Sequence, residues 1–481
     1  MDRLPWTRFH WLIIIGLGVS WILDGLEIQL ISTLGTVWQH PDGGLGISAG
    51  QVGTVNSSYL LGEVVGALVF GYLTDRLGRR RLFLVTIATY LIFSGAAGLS
   101  WNYSSLIVFR FIAGMGIGGE YTAINSAIDE LIPARYRGRV DIGINGTYWG
   151  GAMLGSAISL FLLNPNVLPV FWGWRVACFL GPAIGIFVIV MRTMIPESPR
   201  WLMTHGKADE AEATVDEIES RAKAHGFEIE PVPQSKALEI VHRKPVNYIE
   251  IARVLFRDYP TRSFLGFTMM VTQAFLYNAI FFSQALVLAN FYHIESQHIG
   301  YFIFPFAVGN LLGPLILGPL FDTWGRRKMI LGTYALSSIV LAISAVLFNA
   351  GTLTATTQTV FWCVAFFFAS AGASSAYLTV SEIFPLELRG QAISFFFAIS
   401  QAAGGVAAPS IFGALIGKGT DRGPLTIGYF VGAGVMLIGG LVAWFFGVNA
   451  ERKSLEDIAD PLSAVGRIGS TRQKGASPLG A

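Results

Sequence analysis

The sequence predicts an all-α membrane protein with twelve transmembrane helices in two halves, and three observations carry that prediction. Apolar residues dominate: 53% of the 481 residues are hydrophobic and only 13% are charged, where a globular chain usually carries about a quarter. The chain also repeats itself at a fixed offset. Finally, Lys and Arg crowd the loops on one side of the alternation that the apolar runs define.

A bilayer core takes about 20 apolar residues per helical span. Runs of that kind lie at about 10–36, 50–74, 81–100, 103–131, 139–163 and 171–195. A second set lies at about 264–292, 297–321, 329–349, 355–382, 390–417 and 424–447. A spanning β-barrel would instead show ten-residue stretches of alternating polarity. The first run has no small-residue cleavage pattern after it, so it is expected to remain as a span. Net charge is only +2, which excludes nucleic acid as a bulk electrostatic partner. Cys178 and Cys363 both sit in apolar runs and read as small buried hydrophobes, with no metal or disulfide framework.

The repeat is carried by two pairs of loops. GYLTDRLGRRR, Gly71 to Arg81, returns as GPLFDTWGRRK, Gly318 to Lys328. Glu130, Pro133, Arg137 and Gly138 return with the same spacing as Glu382, Pro385, Arg389 and Gly390. The domain reading follows: a six-span half over 1–195, a linker over 196–262, a second six-span half over 263–449 and a tail over 450–481. The linker's KADEAEATVDEIESRAK is a mixed-charge helical pattern, and Pro231 and Pro233 break it. Arg76, Arg79, Arg135, Arg137, Arg326 and Arg389 share one side, whereas the opposite loops hold little beyond Lys418 and Arg422. Positive residues stay cytoplasmic, so both termini are expected inside the cell membrane.

These doubled loops resemble the major facilitator superfamily. PESPRWL, Pro196 to Leu202, and ERKSLEDI after the last span are similar to its sugar-porter branch. The resemblance implies two six-helix bundles related by a pseudo-twofold axis, a substrate bound between them near the midplane, and alternating access. It also implies a gating latch at the basic side. Asp75, Arg79, Glu130 and Arg137 would form one part, and Asp322, Arg326, Glu382 and Arg389 its partner, joined by Glu197 and Arg200. The plainer reading, topology signal and solvated charge, is preferred for Arg80, Arg81, Arg327 and Lys328.

An ionisable group at the bilayer centre costs about 2.5–3.5 kcal/mol on insertion scales and is functional by default. Span one carries Asp24 and Glu27, three residues apart and so on one helix face. Span four carries Arg110 and Glu120. Helical rise places Glu27 and Arg110 at similar depth. Proton-coupled sugar porters face an acid of the first span with an Arg of the fourth, and Glu27 and Arg110 match those positions. The resemblance therefore implies proton coupling by this pair, with Asp24 and Glu120 as further coupling candidates. The plainer reading is a static buried ion pair.

Amides and aromatics at helical spacing suggest pocket walls: Asn145, Tyr148 and Trp149 in span five, and Gln273, Tyr277, Asn278 and Gln284 in span seven. Asn125, Tyr377 and Gln401 are weaker candidates. Span seven lacks the Gln-Gln-Leu-Ser-Gly-Ile-Asn run of sugar porters, which makes sugar doubtful. The expectation is proton symport of a small polar organic metabolite, an organic acid favoured, with no cofactor beyond the proton gradient. The partners are then substrate, protons and lipid, and a monomer suffices. Sugar uptake, proton-driven efflux or antiport, and a non-transporting receptor remain alternatives. No pattern of nucleotide site, metal cluster or activated nucleophile points to an enzyme.

Overall fold

Twelve spanning elements account for the apolar runs, and every described regular element is helical. The computed structural model describes residues 5–448 except 43, 78, 194–195, 198, 205, 225–226, 228, 230–247 and 385–388. The tail and much of the linker therefore fall outside the described residues. The first six helices are α1 (Arg8–Trp38), α2 (Ala49–Leu77), α3 (Arg79–Ala97), α4 (Tyr103–Leu131), α5 (Ala134–Leu162) and α6 (Val170–Thr193). Among the described residues, nine helices are long and apolar enough to cross a membrane.

The linker contributes α7 (Pro199–Thr204), α8 (Ala208–Ala224) and α9 (Tyr248–Asp258). The mixed-charge run forms α8, which buries Ala211, Ile218 and Ala222 and leaves most of its charges exposed. The second set of spans is α10 (Pro260–Phe281) with α11 (Gln284–Tyr292), α12 (Ile299–Thr323), α13 (Arg326–Asn349), α14 (Ala355–Ile383), α15 (Arg389–Ser400) with α16 (Ala407–Ile416), and α17 (Gly423–Phe446). Proline starts α10, where its missing N–H costs nothing. Thr354 and Thr357 cap α14 reciprocally, each side chain bonding the other's backbone N–H.

Two spans that the sequence predicts as continuous are interrupted. Span seven stops at Phe281 and restarts at Gln284. The interruption frees carbonyls, which need partners where lipid offers none. Ser283 Oγ donates to Ala279 O, and Ser32 Oγ of α1 donates to Phe281 O at 2.8 Å. Span eleven carries a π turn over Gln401–Gly405, between α15 and α16. Such turns are rare and frequent at functional sites.

Small residues let backbones touch within each set of helices. A Cβ added at Gly114 or Gly118 of α4 would overlap the Tyr59 or Glu63 carbonyl of α2, and one at Gly25 of α1 would overlap the Tyr148 carbonyl of α5. Among the described residues, the two sets make close contacts toward the face that carries the α1–α2 connection. There Thr36 Oγ1 donates to Ser296 Oγ at 2.8 Å, and Ser410 Oγ to Ser57 Oγ at 2.8 Å. A Cβ at Gly53 of α2 would overlap the Pro409 carbonyl of α16.

Candidate functional site

Glu27 of α1 and Arg110 of α4 meet in the interior of the first helix set. Arg110 Nη1 lies 3.7 Å from Glu27 Oε1, with both side chains almost fully buried. Two features hold this pair. The Arg110 guanidinium lies 4.0 Å above the Tyr59 ring, a cation–π contact that steadies a desolvated charge. Gly181 of α6 supplies the room for the carboxylate, since a Cβ there would stand 2.5 Å from Glu27 Oε2. The Tyr90 hydroxyl faces the same carboxylate but outside standard hydrogen-bond geometry. Asp24 and Glu120 are buried on the same two helices.

A third acid, Glu63, belongs to this cluster. It lies one turn beyond Tyr59 on α2, is 4% exposed, and feels the field of Arg110. Its Oε2 accepts a hydrogen bond from Gln401 Nε2 at 3.3 Å, across the boundary between the two helix sets. Gln401 opens the π turn, and its Oε1 accepts from Asn278 Nδ2 at 3.0 Å. Gly405 clears space for both amides, because a Cβ there would stand 2.9 Å from Asn278 Nδ2 and overlap Gln401. Sequence reasoning passed over Glu63, although GEVVGALVF puts an acid in the middle of an uncharged span. The rule that singles out Glu27 flags it equally.

Aromatic rings build the adjoining wall from both helix sets. Trp149 of α5 packs against Tyr148 at 5.2 Å between ring centres, and against Tyr277 and Phe281 of α10 at 6.2 and 6.3 Å. The Tyr277 hydroxyl donates to Asn310 Oδ1 of α12 at 3.0 Å. Glu63 reaches this wall through Gln401, which also bonds Asn278, the chain neighbour of Tyr277. The structure thus brings together Tyr148, Trp149, Tyr277, Asn278 and Gln401 from the expected pocket. Gln273 lies half-buried on α10, one turn before Tyr277. The Asn145 side chain lies outside the described residues.

Of the expected latch, Arg326 starts α13 as a buried side chain and Glu197 is half-buried beside α7. The side chains of Asp75, Arg79, Glu130, Arg137, Arg200, Asp322, Glu382 and Arg389 lie outside the described residues. Among the described residues no three metal-ligating side chains cluster.

Twelve spans in two sets, closed around buried charges and an aromatic wall, define a membrane transporter of the major facilitator type. The chain belongs to the sugar (and other) transporter family, whose model matches residues 29–461. It is 27% identical over 418 residues to the niacin transporter NiaP of Acinetobacter baylyi, covering 85% of this chain and 88% of that one. It is 26% identical over 483 residues to the inner membrane metabolite transport protein YgcS of Escherichia coli, covering 99% and 98%. The fold is similar to the crystal structure of a D-xylose-proton symporter, with a TM-score of 0.71 at 19% identity over 93% of this chain and all of that one.

Proposed function

We propose that this transporter is a proton symporter for a small polar organic metabolite, with an organic acid favoured over a sugar. The observation that carries the reading is the Glu27–Arg110 pair, buried at 3.7 Å in the interior of the first helix set. A guanidinium beside a carboxylate holds it ionised, and parting the two in a dry cavity favours the protonated acid. A conformational change that alters their separation therefore loads or unloads a proton. The bonds near the α1–α2 face are those that such a change has to break, and the latch residues around Asp75 and Asp322 would close the opposite face. The niacin transporter of Acinetobacter baylyi, a relative named for an aromatic carboxylate, supports the acid preference.

Sugar transport is the second reading, supported by the D-xylose transporter of Levilactobacillus brevis, 25% identical over 87% of this chain. The Asn278, Gln401 and Asn310 amides would serve hydroxyl groups there. We place the protein in the cell membrane with both termini cytoplasmic, on the Lys and Arg asymmetry of its loops.

The test reconstitutes the full chain in liposomes and follows uptake of aromatic acids, aliphatic acids and sugars under an imposed pH gradient. Uphill accumulation of a carboxylate is expected for the native protein. Glu27→Gln is expected to retain exchange and lose accumulation, and full uphill uptake by that variant overturns the coupling assignment.

A further inference from the structure

Glu63 is a buried acid that the Glu27–Arg110 mechanism leaves unused. Its direct hydrogen-bond partner is a neutral amide, Gln401, at 3.3 Å. Arg110 is taken up by Glu27 and by the Tyr59 ring, and reaches Glu63 only at longer range. Glu27 and Glu63 thus both draw on the Arg110 guanidinium, and Glu27 is the nearer. A carboxylate out of water either takes up a proton or requires a close counter-charge, because desolvation of the ion costs several kcal/mol.

The surroundings of Glu63 say what could supply that charge. Through Gln401 and Asn278 it connects to the Trp149–Tyr277 wall, whose rings from both helix sets suit a cation or a flat heterocycle. Seven residues earlier on α2, and so on the same helix face, Asn56 is fully buried, and neither amide atom has a hydrogen-bond partner among the described residues. An unpartnered buried amide costs about 1–3 kcal/mol, which a polar ligand recovers. Glu63 lies in the first helix set and Gln401 in the second, so a ligand that replaces the Gln401 bond also touches the boundary that moves during transport.

We propose that Glu63 is a substrate-binding residue that pairs with a basic nitrogen, either an ammonium or a protonated ring nitrogen. The substrate is then a metabolite that carries such a nitrogen as well as its acid group, with the ring or chain held by the Trp149–Tyr277 wall. This rests on the transport reading above and narrows its substrate class.

Matched probes test it on the purified full-length protein. Pyridine-3-carboxylate is compared with benzoate, and piperidine-4-carboxylate with cyclohexanecarboxylate, by calorimetry or thermal shift. At least one nitrogen-bearing member is expected to bind the native protein about tenfold or more tightly than its carbon counterpart, the equivalent of about 1.4 kcal/mol. Glu63→Gln is expected to bring that ratio to within about twofold while leaving the carbon member's affinity in place. Should Glu63→Gln fail to fold, Glu63→Asp, which withdraws the carboxylate by one methylene, is expected to weaken the nitrogen-bearing members alone. An unchanged ratio in the folded variant, or no preference for nitrogen in the native protein, overturns the proposal. Failure of proton coupling reads out separately, as uphill uptake by Glu27→Gln with the nitrogen preference intact.

Discussion

Adding one methyl group at Gly181 tests whether Glu27 must sit where it does. The new Cβ would stand 2.5 Å from Glu27 Oε2 and 3.3 Å from its Cδ, whereas ordinary contact begins near 3.4 Å. The carboxylate therefore has to move by 3.4 − 2.5 = 0.9 Å. Arg110 now lies 3.7 Å away. At an effective dielectric of about 20, changing that separation by about 1 Å changes the attraction by about 1 kcal/mol, roughly fivefold in an equilibrium constant. The backbone at Gly181 is helical, so alanine itself adds no strain. Gly181→Ala is expected to fold, with a melting temperature near that of the native protein, and to lose several-fold in gradient-driven accumulation. Gly150→Ala, where nothing lies within 4 Å of the new Cβ, serves as the matched control. The assay is uptake into liposomes across a series of imposed pH gradients. A Gly181→Ala profile superimposable on the control would refute the idea that the position of this carboxylate sets coupling.

Other perturbations follow from the same geometry. Arg110→Ala leaves Glu27 and Glu63 buried without their shared cation and is expected to cost about 3–5 kcal/mol, read as a lower melting temperature. Gly118→Val drives a branched side chain into the Glu63 carbonyl of α2, and the backbone cannot yield as a side chain would. Expression and thermal stability should both fall, while Gly434→Val, in open space, should leave both in place. Gly53→Ala pushes α2 from α16 and is expected to raise the labelling of a cysteine placed near the α1–α2 face. Asp75→Asn should weaken the latch and raise labelling at the opposite face, and unchanged labelling there removes the gating role.

The fold was legible because lipid enforces a simple code: long apolar runs, a repeat, and basic loops on one side. Glu27 and Arg110 were legible for the same reason, since a charge in hydrocarbon stands out and helical rise fixes its depth. Tyr148, Trp149, Tyr277 and Asn278 could be named from spacing. That Trp149 faces Tyr277 across the boundary between the helix sets depends on tertiary packing, which spacing does not encode. The two interruptions were hidden because their local sequences are ordinary. Neither Phe282–Ser283 nor Gln401–Gly405 contains a proline, and partners far along the chain stabilise both. Gly181 was invisible for a related reason: its importance lies wholly in the carboxylate opposite.

The gap between α10 and α11 has a mechanical meaning. An unbroken helix transmits rotation along its whole length, so tilting one end must swing the other. Here the rod is cut at Phe281, and the exposed carbonyl is fastened to Ser32 of the other helix set instead of to its own next turn. The short piece, nine residues long, lacks that helical tie, while the longer piece keeps Tyr277 and Asn278 against their partners. In the transport cycle proposed above, admission at one surface would thereby be uncoupled from the grip on whatever has been admitted.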